Sequence, residues 1–326
     1  MNKSEHLDSV IKTHQITKEE KLLNKFRERN KEVKDDLFEH YKGSIYNPFN
    51  SGSYAKNTAI NTKFDFDLIA PFKRYAFGTK GTLKEMYEDV YDFLYEKYKD
   101  VAKVKKQKVS IGIEFYADSE NDIVKIDVTP GRELNEKQYI EDSKLNLYVY
   151  SRYGKFDAGS ERIQTNIQAQ IDSIRNRATT EKDSIRKIIR LLKVWKKTKF
   201  DYPTKSYFLE LITIKAFDNK TIAGNLWDKL KTVLEYIKDE VTKDSFTLKD
   251  KGNSSNDLAD TLTESEKRTL SNDMKNILDR IEENDENIKT YFPENAKFKE
   301  DKKEENKYQV KGSGFFTIPP KNERFG

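Results

Sequence analysis

Three aspartates carry the strongest chemical signal in this 326-residue chain: Asp65 and Asp67 in KFDFDLIAPF, and Asp127 in DIVKIDVTP. Both segments alternate with a period of two, the signature of a β-strand, so Asp65 and Asp67 share one face while Phe64, Phe66 and Leu68 take the other. Carboxylates about 7 Å apart on one sheet face repel unless a cation lies between them. A solvated sheet face would tolerate such a pair, but Phe66, Leu68, Ile69 and Ala70 mark an interior strand. In the second segment Val124, Ile126 and Val128 face one way and Lys125, Asp127 and Thr129 the other. If the two strands are neighbours, three carboxylates meet, enough to hold two divalent ions for phosphoryl-transfer chemistry.

Composition narrows the choice of metal. Cysteine is absent, and the only histidines are His6, His14 and His40, all upstream of the aspartates. Disulfides, thiolate nucleophiles and Cys-ligated zinc or iron–sulfur sites are excluded. Hard oxygen ligands remain, and they suit Mg²⁺ or Mn²⁺. Lys+Arg (61) barely exceeds Asp+Glu (56), and a net charge of +5 is too small for a dedicated nucleic-acid-coating protein. The first residues lack an apolar signal region and no run of about 18 apolar residues occurs, so a soluble cytoplasmic protein is expected.

The elements that must position these residues read as α+β followed by all-helical. Residues 5–41 have helical spacing. YNPFNSGS breaks it, and the Asp65–Asp67 strand follows. A helix over about 81–99 precedes two strand-like runs, KVSIGIEFYA and DIVKIDVTPG. Helical patterns then cover 161–177, 182–198, 205–217, 226–240 and 265–283, with 244–257 as a polar connector. This predicts a catalytic core over 1–155 that includes a long N-terminal helix, a helical domain over 156–295 and an extended tail over 296–326. The active site would lie in the cleft of this bilobed molecule.

Upstream of the aspartates, GSYAKNTAI places Gly52 and Ser53 at a turn opening a short helix, where backbone N–H groups and a hydroxyl can meet a phosphate. Eleven residues separate Ser53 from Asp65. A Gly-Ser turn, an Asp-x-Asp strand and a third Asp on a later strand resemble the polymerase-β nucleotidyltransferase superfamily. One departure is Ser51, where that superfamily usually has a hydrophobic residue.

The helical half adds a second set of residues. DSIRKIIRLLKVWKKTK is amphipathic, with Arg186, Arg190, Lys193 and Lys197 in a narrow stripe beside its apolar face. A Lys-rich chain produces such a stripe by chance fairly often. The functional alternative is a wall for a triphosphate. The next helix opens with Ser206 and Tyr207, a hydroxyl for phosphate and an aromatic for a base, although Tyr207 fits a core tyrosine equally well. LLKVWKK followed by SYFLE is similar to the helical domain of the oligoadenylate-synthetase-like and cGAS/DncV-like nucleotidyltransferases (CD-NTases). The resemblance covers about residues 45–285. It implies that Lys193 and Ser206 contact the donor triphosphate and that Tyr207 stacks on the donor base. TNIQAQIDSIRNR resembles the family's Thr-Asn-Pro helix start and makes Asn166 a candidate base contact. The Asn256-Asp257 pair also matches a family feature. Without cysteine there is no zinc thumb.

The resemblance implies a bacterial synthase that joins ATP, UTP, GTP or CTP into a cyclic di- or trinucleotide, with two Mg²⁺ (or Mn²⁺) ions on Asp65, Asp67 and Asp127. The product would reach a downstream anti-phage effector. The enzyme would be a monomer that needs no membrane and no nucleic acid. A template-independent polymerase making linear products uses the same carboxylates, and an inactive nucleotide-binding module is the reading from another class. The tail ends in Gly326, which would suit conjugation by a ubiquitin-like ligation apparatus.

Overall fold

The computed structural model describes residues 1–62, 65–79, 81–151 and 161–299. In chain order the first half runs α1 (Lys3–Thr13), α2 (Glu20–His40), β1 (Phe49–Asn50), α3 (Gly52–Ala55), β2 (Phe66–Phe72), α4 (Leu83–Tyr98), β3 (Ala102–Lys106), β4 (Ile111–Phe115), β5 (Lys125–Glu133), α5 (Tyr139–Asp142), β6 (Leu145–Tyr148) and β7 (Arg162–Thr165). The second half runs α6 (Ile167–Arg175), α7 (Thr179–Lys197), α8 (Ser206–Asn219), α9 (Leu226–Glu240), β8 (Lys249–Asp250), β9 (Asn253–Asp257), α10 (Glu264–Glu283) and α11 (Ile288–Tyr291). The architecture is α+β, as the residue patterns predict.

Seven strands form one mixed sheet in the order β1-β2-β5-β4-β3, with β6 beside the C-terminal end of β5 and β7 beside β6. Among the described residues only β2 and β5 run parallel, and their register pairs Asp67 with Asp127. Phe66, Leu68, Ile126 and Val128 point to the face covered by α2 and α4, where they pack with Tyr87, Leu94 and Tyr98. Burial of these apolar side chains, at about 25 cal/mol per Å², holds the strands in register. On the opposite face Ile69 packs with Tyr139, Leu145 and Leu147 in a much smaller cluster. That sparsely covered face carries the aspartates.

The largest apolar cluster is helical. Trp195, Ile188, Ile189 and Leu192 of α7 pack on Phe208, Leu209 and Ile212 of α8 and on Leu230, Leu234 and Ile237 of α9. The two packing units interleave along the chain instead of meeting at residue 155. Leu7, Val10 and Ile11 of α1 belong to the helical cluster, and β7, beyond residue 155, pairs with β6 in the sheet.

Several expected elements change. The predicted helix over 5–41 is two helices separated by a 3-10 turn at Ile16–Glu19, because the buried stripe of α1 faces the helical cluster and that of α2 faces the sheet. Residues 162–165 form a strand, not the start of a helix. The polar connector contains the β8–β9 hairpin. Strand β3, with only Ala102 and Val104 buried among its lysines, is an edge strand with too few apolar residues to stand out in the sequence. Gly326, the expected conjugation site, lies outside the described residues. Among the described residues no helix is long and apolar enough to cross a membrane.

Candidate active site

Asp67 lies one residue into β2 and Asp65 immediately precedes that strand. Asp127, in β5, is the register partner of Asp67 across the parallel pair. Adjacent strands lie about 4.8 Å apart, so the two carboxylates are neighbours by construction. The Asp67 carboxyl is pushed up to about 7, first by burial and then by the charges of Asp65 and Asp127, while Lys56 and Lys193 pull it back. Asp127 is also raised, chiefly by burial and further by Asp65, against a hydrogen bond from Gln107.

Gly52 is fixed by this arrangement. It adopts φ +60°, a conformation that favours glycine. A Cβ there would lie 1.7 Å from Asp67 Oδ2. The turn can approach the carboxylate because it has no side chain at that point. Ser51 N–H donates to the carbonyl of Asp67 at 2.7 Å, and Ser51 itself is buried, a small polar residue in the place of the usual hydrophobic one. Gly52, Ser53, Asp65 and Asp67 all line a cleft of about 710 Å³, a volume within the usual range for a ligand site.

The opposite wall is helical, and Lys193, Ser206 and Tyr207 line it. Three of the four cations on the α7 stripe bind the end of the Gly-Ser turn. Arg186 Nε donates to the Lys56 carbonyl at 3.0 Å, Arg190 to the Asn57 carbonyl at 2.7 Å, and Lys193 Nζ to the Thr58 carbonyl at 3.0 Å. The stripe therefore acts first as a clamp on carbonyls left over where the short helix ends. Arg186 and Arg190 are absent from the cleft lining, whereas Lys193 and Lys197 belong to it. Burial lowers Lys193 to about 8 against the opposing pull of Glu210.

Helix α8 begins at Ser206 with no side chain capping its first N–H groups, which leaves donors at the cleft wall. Tyr207 is half-buried. Its hydroxyl donates to Asp250 Oδ1 at 2.8 Å, and Lys56 Nζ lies 4.8 Å from its ring centroid. Asn166 has a different role from the one expected. It caps α6, its Oδ1 accepting from Ala169 N–H at 2.8 Å and its Nδ2 donating to the Asp142 carbonyl at 2.8 Å. With both ends of the amide engaged, Asn166 does not line the cleft; Ile167 and Gln170 do. Asp257 likewise serves the backbone, accepting from Leu248 N–H at 2.6 Å and Ala259 N–H at 3.0 Å.

Sequence patterns missed three residues here. Lys56 and Glu210 form an ion pair with side chains only 6% and 4% exposed. A lone glutamate inside SYFLELITIKAF is a signal for it, since a buried carboxylate in an apolar stretch requires a partner. Gln107 holds Asp127, its Nε2 donating at 3.0 Å and its Oε1 accepting from Ser110 Oγ at 2.7 Å. Nothing in the residues around Gln107 shows that the β3–β4 turn returns to β5.

The residues present fit a divalent cation. All three acids offer hard oxygen, and their mutual repulsion at Asp67 is relieved by positive charge. A second acidic group, Asp118, Glu120 and Asp122, differs in that Lys25 Nζ already sits 2.6 Å from a carboxylate oxygen of each. An ammonium ion fills that group.

No protein-family model and no curated protein matches the sequence. Solved structures do match in fold. Escherichia coli MS115-1 CdnC, solved with ATP, is 20% identical with a TM-score of 0.63, over 82% of this chain and 89% of that one. The Bradyrhizobium diazoefficiens CD-NTase CdnG, in complex with GTP, is 13% identical with a TM-score of 0.62, over 82% and 89%. Vibrio cholerae DncV cyclic AMP-GMP synthase, with the linear intermediate pppA(3′,5′)pG, is 15% identical with a TM-score of 0.58, over 76% and 68%. The chain thus adopts the fold of the CD-NTases, a mixed polymerase-β-like sheet and a helical unit that face each other across one cleft.

Proposed function

We propose that this chain is a nucleotidyltransferase that joins nucleoside triphosphates into a cyclic di- or trinucleotide, the messenger of a bacterial anti-phage (CBASS) system in the cytoplasm. The observation that carries the reading is the asymmetry of one cleft. Asp65 and Asp67, with Asp127 beside them, lie on the sheet side, and Lys193, Ser206 and Tyr207 on the other. Donor phosphates bind the amides and hydroxyl at Gly52-Ser53, together with Lys193 and Ser206, and the donor base stacks on Tyr207. Asp65, Asp67 and Asp127 would hold two Mg²⁺ or Mn²⁺ ions, which supply charge neutralisation at the triphosphate and acidify the attacking hydroxyl.

Asp127, raised by burial, helps to take the proton of the acceptor ribose hydroxyl. That oxygen bonds to the donor α-phosphorus as the bond to pyrophosphate breaks. A second transfer in the same cleft closes the ring, and the linear intermediate held by DncV supports such a two-step course.

The test is incubation with labelled ATP, GTP, CTP and UTP and Mg²⁺ or Mn²⁺, beside an Asp65→Asn/Asp67→Asn variant, followed by phosphatase treatment and mass spectrometry. A phosphatase-resistant product lost in the variant is expected. A phosphatase-sensitive ladder would identify a linear polymerase instead, and nucleotide binding without any product would identify an inactive binding module.

A further inference from the structure

Asp250, on the β8–β9 hairpin, gathers three donors on one oxygen. Its Oδ1 accepts from Tyr207 Oη at 2.8 Å, from Gln170 Nε2 at 3.0 Å and from Gly252 N–H at 2.7 Å. Gly252 permits the close approach, because a Cβ there would lie 2.7 Å from the Asn166 carbonyl and 2.9 Å from Gln170 Nε2. The hairpin tip is therefore pressed against the start of α6, and Asp250 fixes two side chains of the cleft wall at once.

A carboxylate oxygen with three donors can only accept. Gln170 must therefore turn its NH₂ toward Asp250, and its Oε1 occupies the other branch of the amide. Among the described residues no hydrogen bond reaches that Oε1, and Gln170 lines the cleft. Because Tyr207 Oη and Gln170 Nε2 share one acceptor, the amide stands at the edge of the ring on which a base would stack.

We infer that Asp250 positions Gln170 as an acceptor that selects, on Tyr207, a base whose amino group stands where guanine and uracil carry a keto oxygen, that is adenine or cytosine. An amino group donates to Oε1, whereas a keto oxygen in its place sets two acceptors against each other. The inference rests on the proposed nucleotide site and names its substrate class.

ATP and inosine triphosphate provide the sharpest probes, since they differ only by amino against keto at one ring position and by the proton this places on the neighbouring ring nitrogen. Their α,β-methylene analogues, which cannot release pyrophosphate, would be titrated with Mg²⁺ by calorimetry into the full chain. The wild type should bind the adenine analogue about 10-fold more tightly, the lower range for one discriminating base contact. A Tyr207→Ala variant should weaken both and so assign the signal to this pocket. Gln170→Met, similar in length but without an acceptor, should bring the two affinities within about twofold at an unchanged melting temperature. Asp250→Ala, which frees the amide and the tyrosine, should narrow the ratio and weaken both. Equal binding or an inosine preference in the wild type would overturn the inference. So would a ratio that survives in both Gln170→Met and Asp250→Ala, and in either case the nucleotide site would stand. Absence of binding by either analogue would overturn the nucleotide site itself, and the inference with it.

Discussion

The two sides of the cleft are built on opposite principles. On the sheet side, like charges are forced together: Asp67 and Asp127 face each other across β2 and β5, Asp65 adds a third charge, and a proton is held on Asp67 up to about pH 7. On the helical side, the charges are already matched. Lys56 pairs with Glu210, and Arg186, Arg190 and Lys193 bind carbonyls. The sheet side stores repulsion that a cation would release, while the helical side is organised before any ligand arrives. Removing one charge should therefore change stability in opposite directions on the two sides.

The largest effect belongs to the helical side. Glu210→Ala leaves the Lys56 ammonium buried without its partner and should destabilise the protein by about 3–5 kcal/mol, read from urea unfolding. Unchanged stability would show that water replaces the carboxylate and that the pre-paired wall is not real. Next is Gly52→Ala, whose Cβ would displace the Asp67 carboxylate. Product formation should fall about 100-fold or more, with a near-native circular dichroism spectrum.

Asp67→Asn should act in the stabilising direction when divalent ions are chelated. The folded carboxyl titrates near 7 and the unfolded one near 3.9. Between these values the folded state binds more protons, so its stability falls as pH rises through the window and the penalty is complete above it. At pH 8 the variant should melt several degrees higher than the wild type, and near pH 4 the gain should vanish. An equal gain at both pH values would show that repulsion is not its source. The smallest effect is at Lys193. Its ammonium is lost from about pH 8 upward in the free protein, so affinity for a nucleotide triphosphate should fall through that pH. The ceiling is about tenfold per pH unit, and Lys193→Met should flatten the profile.

The sheet side was the more legible in the residues. A period of two determined which faces Asp67 and Asp127 take, and a Gly-Ser turn upstream of an Asp-x-Asp strand has a restricted set of uses. What could not be read was the partner of each charge. Gln107 reaches Asp127 only because β3 and β4 form a hairpin that returns to β5, and Lys56 meets Glu210 across 154 positions. Asn166 shows the converse. Its place in a helix-start motif was evident, but capping was the use that geometry made of it, and the polar side chain aimed at the cleft is Gln170, one helical turn later. Local patterns specify facing and capping, whereas pairing at a distance depends on how the two lobes meet.

Helix α1 has a consequence for how the protein folds. It lies at the start of the chain, yet Lys3 pairs with Asp285 at 2.6 Å, Ser4 Oγ accepts from Trp227 N–H at 3.0 Å, and His6 Nε2 lies 2.9 Å from the Phe292 carbonyl. The sheet needs no residue beyond β7 to close, but these partners of α1 lie 223 to 286 positions further along the chain, and its apolar stripe is covered only when they are in place. Until then Leu7, Val10 and Ile11 stay exposed on a tethered helix. Closure of that long loop is a slow, entropy-limited step, so the helical cluster is completed later than the sheet.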